Sequence, residues 1–198
     1  MKTVLAVATV ACLCCLLAGS GCHSSGADYW PMAEGNVWTF RAVWIRSVPD
    51  SAPDTSVMDG AMTQICTGLV TLTGGVRAWA MAFGPYDIYT AYYREAGNAV
   101  LVYNDTSDAE PDTLLALPLE VGKTWTCGGY TMVVREQATV EVPVGTYKDC
   151  WRVETNDNGV ITSFWYAPNV GLVLEEITAV GEDFTLDVRY ELTYASVK

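Results

Sequence analysis

The sequence predicts an all-β protein, because apolar and polar residues alternate along it and turn signals recur at short intervals. The clearest alternation runs from Phe184 to Tyr194, where every second residue is apolar. This pattern is typical of a strand with one buried face and one wet face. No amphipathic helical segment and no repeat of fixed length follows residue 22. The length after that residue fits a single domain with one hydrophobic core.

Further strands are predicted between the turn signals. They cover Val37 to Ser47, Met62 to Thr73, Val76 to Phe83, Ile88 to Arg94, Ala99 to Tyr103, Tyr130 to Val142, Tyr147 to Asn156, Val160 to Tyr166 and Gly171 to Thr178. Two clusters of turn-forming residues, Pro49 to Asp54 and Asp105 to Asp112, are expected to be long loops.

Asn158-Gly159 is expected to be a two-residue hairpin loop, because both residues tolerate positive φ. That loop fixes the register of its strands. The predicted pairs are Asp157 with Val160, Val153 with Phe164, Arg152 with Trp165 and Trp151 with Tyr166. The core face would then carry Trp151, Val153, Phe164 and Tyr166. The other face would carry Cys150, Arg152, Glu154, Ser163 and Trp165, with the guanidinium against the indole.

Gly74-Gly75 is predicted to be a second loop of the same kind. The expected pairs are Leu72 with Arg77, Val70 with Trp79, Gly68 with Met81 and Cys66 with Phe83. The reverse face would then consist of small residues, among them Ala78, Ala80 and Ala82. Either a second layer of the same protein packs on this face, or a bound ligand or partner does.

Aromatic residues are dense between Trp79 and Tyr93. Trp79, Tyr86 and Tyr89 could line an apolar cavity, or they could be ordinary core and sheet packing. Together with Ala78, Ala80 and Ala82 they form the candidate ligand face.

The N-terminus has the pattern of an export signal. Lys2 is followed by an apolar run from Val4 to Leu17 that is too short to span a bilayer, and small residues lead to Cys22. The segment ending in Ala18-Gly19-Ser20-Gly21-Cys22 resembles the lipobox of bacterial lipoproteins, although Gly19 stands where that box has a branched aliphatic residue. We therefore expect a signal peptide over residues 1–21, a tether over 22–28 and the β domain over 29–198.

The lipobox resemblance implies that Cys22 receives a diacylglycerol and a palmitate or similar acyl chain, which would anchor the protein in a membrane of the bacterial cell envelope. We expect the outer membrane, because His23 stands where aspartate would signal inner-membrane retention. An ordinary secretory cleavage, giving a secreted or periplasmic protein, is the alternative.

Charge and residue usage exclude several function classes. The net charge is −12, and without Lys2 ten basic residues stand against 23 acidic ones, which argues against nucleic acid as a partner. His23 is the only histidine, so the domain lacks the commonest general base and histidine-ligated zinc. We expect no metal site and no cofactor, and we expect no enzyme activity. A mechanism that uses only carboxylates, as in glycoside hydrolysis, is the third alternative, because it needs no histidine. Cys66, Cys127 and Cys150 could pair in three ways or stay free.

Several short motifs occur in a fixed order along the domain. They are Tyr29-Trp30-Pro31 with Gly35, Trp38 and Phe40; Leu117-Pro118-Leu119 with Gly122-Lys123-Thr124-Trp125; Val144-Gly145-Thr146-Tyr147 with Asp149-Cys150; and Trp165-Tyr166-Ala167-Pro168-Asn169-Val170-Gly171-Leu172-Val173. Together they resemble a group of uncharacterised bacterial lipoproteins, in which glycine occupies the place of Asn169. The resemblance implies an antiparallel meander curled into an open or partly closed barrel, and it implies no activity.

The expected function is that of a cell-envelope lipoprotein that binds an apolar ligand in its curved β-sheet. The alternative is a structural or protein-interaction module that presents a sheet surface to an envelope partner.

Overall fold

The computed structural model describes residues 27–85 and 88–198. Twelve strands follow one another in this part of the chain. They are β1 (Val37–Ser47), β2 (Asp54–Thr71), β3 (Arg77–Pro85), β4 (Tyr89–Ala96), β5 (Ala99–Tyr103), β6 (Asp112–Ala116), β7 (Thr124–Cys127), β8 (Tyr130–Val142), β9 (Gly145–Asp157), β10 (Val160–Ala167), β11 (Gly171–Val180) and β12 (Thr185–Ser196). No helix long and apolar enough to cross a membrane occurs among the described residues.

All twelve strands belong to one antiparallel sheet. Its order is β6-β5-β4-β3-β2-β1-β12-β11-β10-β9-β8-β7, so the first and last strands of the chain pair in its middle. The two edge strands, β6 and β7, lie beside each other without a backbone ladder between them. The sheet is therefore a barrel that is closed except for one seam, which confirms the predicted all-β fold and the partly closed barrel.

The predicted strands are found with small shifts at their ends, apart from three differences. β2 begins at Asp54, well before the predicted Met62. The prediction missed this part of the strand because its first six residues are exposed and show no apolar alternation. β6 and β7 were not predicted. They are only five and four residues long, too short for a period of two to stand out.

The Asn158-Gly159 turn has the predicted register. Asp157 lies opposite Val160, Val153 opposite Phe164 and Trp151 opposite Tyr166. Asn158 and Gly159 both have positive φ, at 51° and 93°, as a type I′ turn requires. Val153 and Tyr166 are buried in the core, and Trp151 and Phe164 pack against it. Cys150 was predicted on the polar face, but it is fully buried, beside a β-bulge at Ala138 to Val140.

The predicted register at Gly74-Gly75 is wrong by one residue. Leu72 N–H donates to the Val76 carbonyl, so the loop contains three residues, Thr73 to Gly75, instead of two. Val70 consequently lies opposite Ala78, and Leu69 opposite Trp79. A bulge between Cys66 and Gly68 then shifts the register by one further residue, so Cys66 lies opposite Met81 and not opposite the predicted Phe83. The β2 side chains between the bulge and the loop therefore face the side opposite to the predicted one, whereas Cys66 is on the predicted face together with Met81.

The interior of the barrel holds the main core, and one end is closed by the N-terminal segment. We call this the closed end; it is where β1 begins and β12 finishes. Trp30 enters the core there, with its ring centroid 5.1 Å from that of Tyr93 and 6.2 Å from that of Tyr166. The barrel is consequently filled at this end.

The motif from Trp165 to Val173 binds the N-terminal segment to the barrel. Asp28 N–H donates to Asn169 Oδ1 at 3.1 Å, and Asn169 N–H donates to the Asp28 carbonyl at 2.6 Å. Trp38 Nε1 donates to the Val170 carbonyl at 2.7 Å. At Gly171, whose φ is 93°, a Cβ would lie 3.4 Å from Pro31 Cδ. The motif thus has a structural role at the closed end.

Candidate functional site

The opposite end of the barrel contains a partly open cavity of about 330 Å³ between β1, β2, β3, β4, β11 and β12. We call it the end cavity. Its lining residues are Trp44, Met58, Ala61, Met62, Phe83, Gly84, Tyr89, Glu175, Ile177 and Tyr190. Seven of these ten residues are apolar or small, Tyr89 and Tyr190 each carry a phenolic ring, and Glu175 is the one acid.

The cavity exists because side chains fill the middle of the barrel but do not fill the end opposite the closed end. Phe40 and Leu192 have no exposed surface, and Met81 is 1% exposed, so the middle of the barrel is full. Nearer the cavity end the lining residues Ala61 and Gly84 are small. The space above the core is thus left unfilled by side chains of the described residues.

Aromatic rings form one wall of the end cavity. The rings of Phe83 and Tyr89 are stacked, with centroids 4.4 Å apart and planes inclined by 4°. The two residues are direct partners across β3 and β4. Tyr89 is 52% exposed and therefore lies at the mouth.

Glu175 places a carboxyl group in this otherwise apolar lining. It is opposite Phe164 on β10 and Tyr190 on β12, both of which pack against the core, so its side chain is on the interior face of the sheet. Burial raises the pKa of Glu175 to about 7, because a low-dielectric environment disfavours the charged form. Burial, and secondly this carboxyl group, raise the pKa of Tyr166 above its ordinary range.

The exterior face of the same strands carries a band of paired charges. Arg41 and Glu191 are 2.7 Å apart, Arg189 lies 3.3 Å from both Glu191 and Glu176, and Arg135 lies 2.7 Å from Glu154. Arg152 lies over the Trp165 ring, 5.7 Å from its centroid, as the hairpin register predicted. The arginine side chains of these pairs are partly exposed, which weakens the ion pairs, whereas Glu191 is buried.

The structure separates the residues of the predicted ligand face. Tyr89 lines the end cavity. Trp79 is on the interior face of β3 but does not line the cavity, and Ala78, Ala80 and Ala82 alternate with it onto the exterior face. Ala78 is fully buried against Leu72 and Tyr103 of the same chain, and Ala80 is 5% exposed. Tyr86 and the lipidation site Cys22 lie outside the described residues.

Sequence reasoning missed most of the cavity. Trp44, Met58, Met62 and Tyr190 come from strands that are distant in the chain, and nothing in their local patterns distinguishes them from core residues. The local sequence could have indicated that Glu175 or its neighbour faces the interior. It follows Leu174 and precedes Glu176 in β11, so one of two successive acids had to face the interior of a strand with two faces.

The acidic segment after β5 is a hydrogen-bonded turn. Asp108 Oδ2 accepts the backbone N–H groups of Asn104 and Asp105, at 2.7 and 2.9 Å. Asp105 Oδ1 accepts both the backbone N–H and the hydroxyl of Ser107, and these bonds lower the pKa of Asp105. Within residues 27–85 and 88–198 there is no group of three or more acidic, cysteine or histidine side chains that could hold a metal ion.

The three cysteines of the domain, Cys66, Cys127 and Cys150, are all free thiols. Burial raises the pKa of each of them, that of Cys150 to about 11. Cys150 Sγ also donates to the Tyr147 carbonyl at 3.4 Å. A thiol in such surroundings is a poor nucleophile, so these residues act as small core side chains.

No protein-family model matches the chain, and no curated protein matches it. Among solved structures, a Bacteroides fragilis NCTC 9343 protein described as exported and YmcC-like in fold is 12% identical, with a TM-score of 0.47. That match covers 86% of this chain and 100% of the other. A Parabacteroides distasonis ATCC 8503 protein described as a lipoprotein is 14% identical, with a TM-score of 0.44; the match covers 87% of this chain and 100% of the other.

Proposed function

We propose that this protein is a cell-envelope lipoprotein that binds an apolar ligand in the end cavity. The observation that carries the proposal is an unfilled space of about 330 Å³ inside a β-barrel, lined by aromatic and methionine side chains. Small-molecule sites in proteins are concave and largely apolar, with a few polar groups, and their volumes begin at roughly 300 Å³. The mouths of β-barrels are among the places where such sites occur.

The lining suits a flexible apolar guest better than a rigid polar one. Met58 and Met62 can adapt their unbranched side chains to different shapes, and Tyr89 at the mouth is half exposed. The lining offers few hydrogen-bonding groups for a sugar or a nucleotide. An acyl chain or a similar hydrophobic molecule is therefore the class of ligand that we propose.

The envelope location rests on the N-terminal sequence. Acylation of Cys22 would tether the domain through a short segment that ends at the closed end, where Asp28 is bonded to Asn169. The end cavity would then open away from the tether, toward the aqueous compartment. We propose the outer membrane as the site of anchoring, with a secreted or periplasmic protein as the alternative.

Cavity filling tests the binding proposal. Native mass spectrometry of the purified protein should detect a co-purified hydrophobic molecule, and the neutral dye N-phenyl-1-naphthylamine should bind with enhanced fluorescence. Ala61→Trp places an indole in the cavity and should abolish both signals. Ile65→Trp is the matched control, because Ile65 is on the same strand and 39% exposed. Dye binding that survives Ala61→Trp in a folded variant would overturn the proposal.

The second candidate function is an interaction module, and the open seam favours it. β6 and β7 each present an edge without a ladder partner among the described residues, and an exposed edge can pair with a strand of another protein. Crosslinking from a photoreactive residue at Thr113 or Thr126 in living cells would capture such a partner. A captured envelope protein, together with failure of all dye binding, would favour this second function.

A further inference from the structure

We propose that the ligand of the end cavity carries a cationic amine group, which binds at Glu175 while an apolar chain fills the remaining space. This inference rests on the proposed ligand binding and specifies the chemical class of the ligand.

Glu175 places a carboxyl group in a mostly apolar cavity lining, where an ionised acid is unfavourable. The residue pairs with Phe164 and Tyr190 on the interior face, and the cavity lining around it is apolar apart from the phenol groups of Tyr89 and Tyr190. Burying a carboxylate costs free energy unless an opposite charge or hydrogen-bond donors compensate. The described residues that line the cavity supply no positive charge for this carboxylate.

The basic residues near this part of the barrel are engaged elsewhere. Arg41, Arg152 and Arg189 form ion pairs on the exterior face. Arg46, at the cavity end of β1, lies over the ring of Phe184, 5.4 Å from its centroid. Within the described part of the chain, the residues that line the cavity include no lysine, arginine or histidine. A counter-charge for Glu175 would have to come from a guest.

The aromatic residues of the lining fit the same guest. Trp44, Phe83, Tyr89 and Tyr190 surround the space that Glu175 enters. Aromatic faces attract ammonium groups through their quadrupole, and aromatic cages that bind ammonium ligands use this attraction. The rings also provide apolar surface for a chain, so one cavity accommodates both parts of an amphiphilic amine.

Burial raises the pKa of Glu175 to about 7, so the carboxyl group is partly protonated at neutral pH. An ammonium group in contact would favour the ionised form. Tyr89 and Tyr190 line the same cavity, and Tyr166 lies near the carboxyl group, where burial and Glu175 raise the pKa of its phenol above the ordinary range.

The experiment compares three probes with the same ten-carbon chain: decylamine, decanol and decanoate. Each displaces N-phenyl-1-naphthylamine from the full-length protein, below the concentration at which it forms micelles. We expect decylamine to bind at least tenfold more tightly than decanol, and decanoate to bind most weakly. Glu175→Gln should lower the decylamine affinity at least tenfold and leave the decanol affinity unchanged.

Glu176→Gln is the matched control, because it removes the same charge from the adjacent residue on the exterior face. It should leave the preference for decylamine intact, which separates a local contact from general attraction to an acidic protein. Equal affinities for decylamine and decanol in the wild type, or an unchanged preference in Glu175→Gln, would overturn the amine proposal alone. Failure of all three probes to displace the dye would contradict ligand binding in the end cavity as a whole.

Discussion

At the scale of single residues, Glu175 is the position where chemistry and folding conflict. A hydrophobic side chain there would fill the cavity and extend the core, whereas the carboxyl group leaves space and imposes a desolvation cost. Natural proteins retain such costly groups mainly at functional sites. The residue therefore links the stability of the barrel to its proposed use.

The first prediction concerns the pH dependence of stability. The pKa of Glu175 is raised from an ordinary 4.5 to about 7 on folding, so the folded state binds its proton more tightly than the unfolded state. Below pH 4.5 the group is neutral in both states and costs nothing, and the penalty grows as pH rises through 7. Relative to Glu175→Gln, the wild type should lose about 2 kcal/mol of unfolding free energy between pH 5 and pH 8.

Urea unfolding of both proteins at a series of pH values measures this difference. The comparison with Glu175→Gln cancels the contribution of the other carboxylates and of the net charge, which act on both proteins alike. Parallel stability curves for the two proteins would show that Glu175 is well solvated in the folded state.

At the scale of elements, two glycine-containing hairpins show what sequence can and cannot determine. Asn158-Gly159 has one favoured loop, the type I′ turn, and its register followed directly. Gly74-Gly75 allows several loops, because glycine permits almost any backbone conformation. The chain uses a three-residue loop there and shifts the register by one further residue with a bulge at Thr67. No local pattern indicates either feature.

The second prediction tests the well-determined hairpin. Gly159 has φ of 93°, a conformation that strains any residue with a Cβ. Gly159→Ala should lower the unfolding free energy by about 1 kcal/mol or more, seen as a lower urea midpoint with an unchanged slope. Asn158→Gly should change it by less than about 0.5 kcal/mol, since glycine accepts the same φ. A Gly159→Ala protein as stable as the wild type would contradict the turn conformation.

The same comparison explains why the site was harder to predict than the fold. Alternation along β12 is a local property, and it identified the strand and its faces. The end cavity depends on where small residues such as Ala61 and Gly84, on the neighbouring strands β2 and β3, come together with residues of distant strands, and this is set by the register of the whole sheet. Tyr89 was identified for its aromatic character, whereas Trp44 and Glu175, from opposite halves of the chain, join it only after the sheet has curled.

At the scale of the whole molecule, the third prediction concerns the anchor. Cys22→Ser removes the sulfur that would carry the lipid, so the protein should move from the membrane fraction to the soluble fraction. Fractionation with immunoblotting, together with metabolic labelling by a palmitate analogue, measures this. Cys66→Ser is the control, since that thiol is buried in the folded domain. A wild-type protein that is soluble and unlabelled would contradict the lipoprotein assignment.

The position of the seam also determines the order in which the barrel can assemble. Strands β1 to β6 pair only with neighbours in sequence, and so do β7 to β12; the ladder between β1 and β12 is the sole backbone ladder between the two halves among the described residues. Its partners include Val37 and Ser196, at the two ends of the domain. Closing so long a loop carries a large entropic cost and slows folding. Synthesis proceeds from the N-terminus, so β12 is made long after β1. The edge of β1 that pairs with β12 therefore stays unpaired in the nascent chain until β12 has emerged from the ribosome.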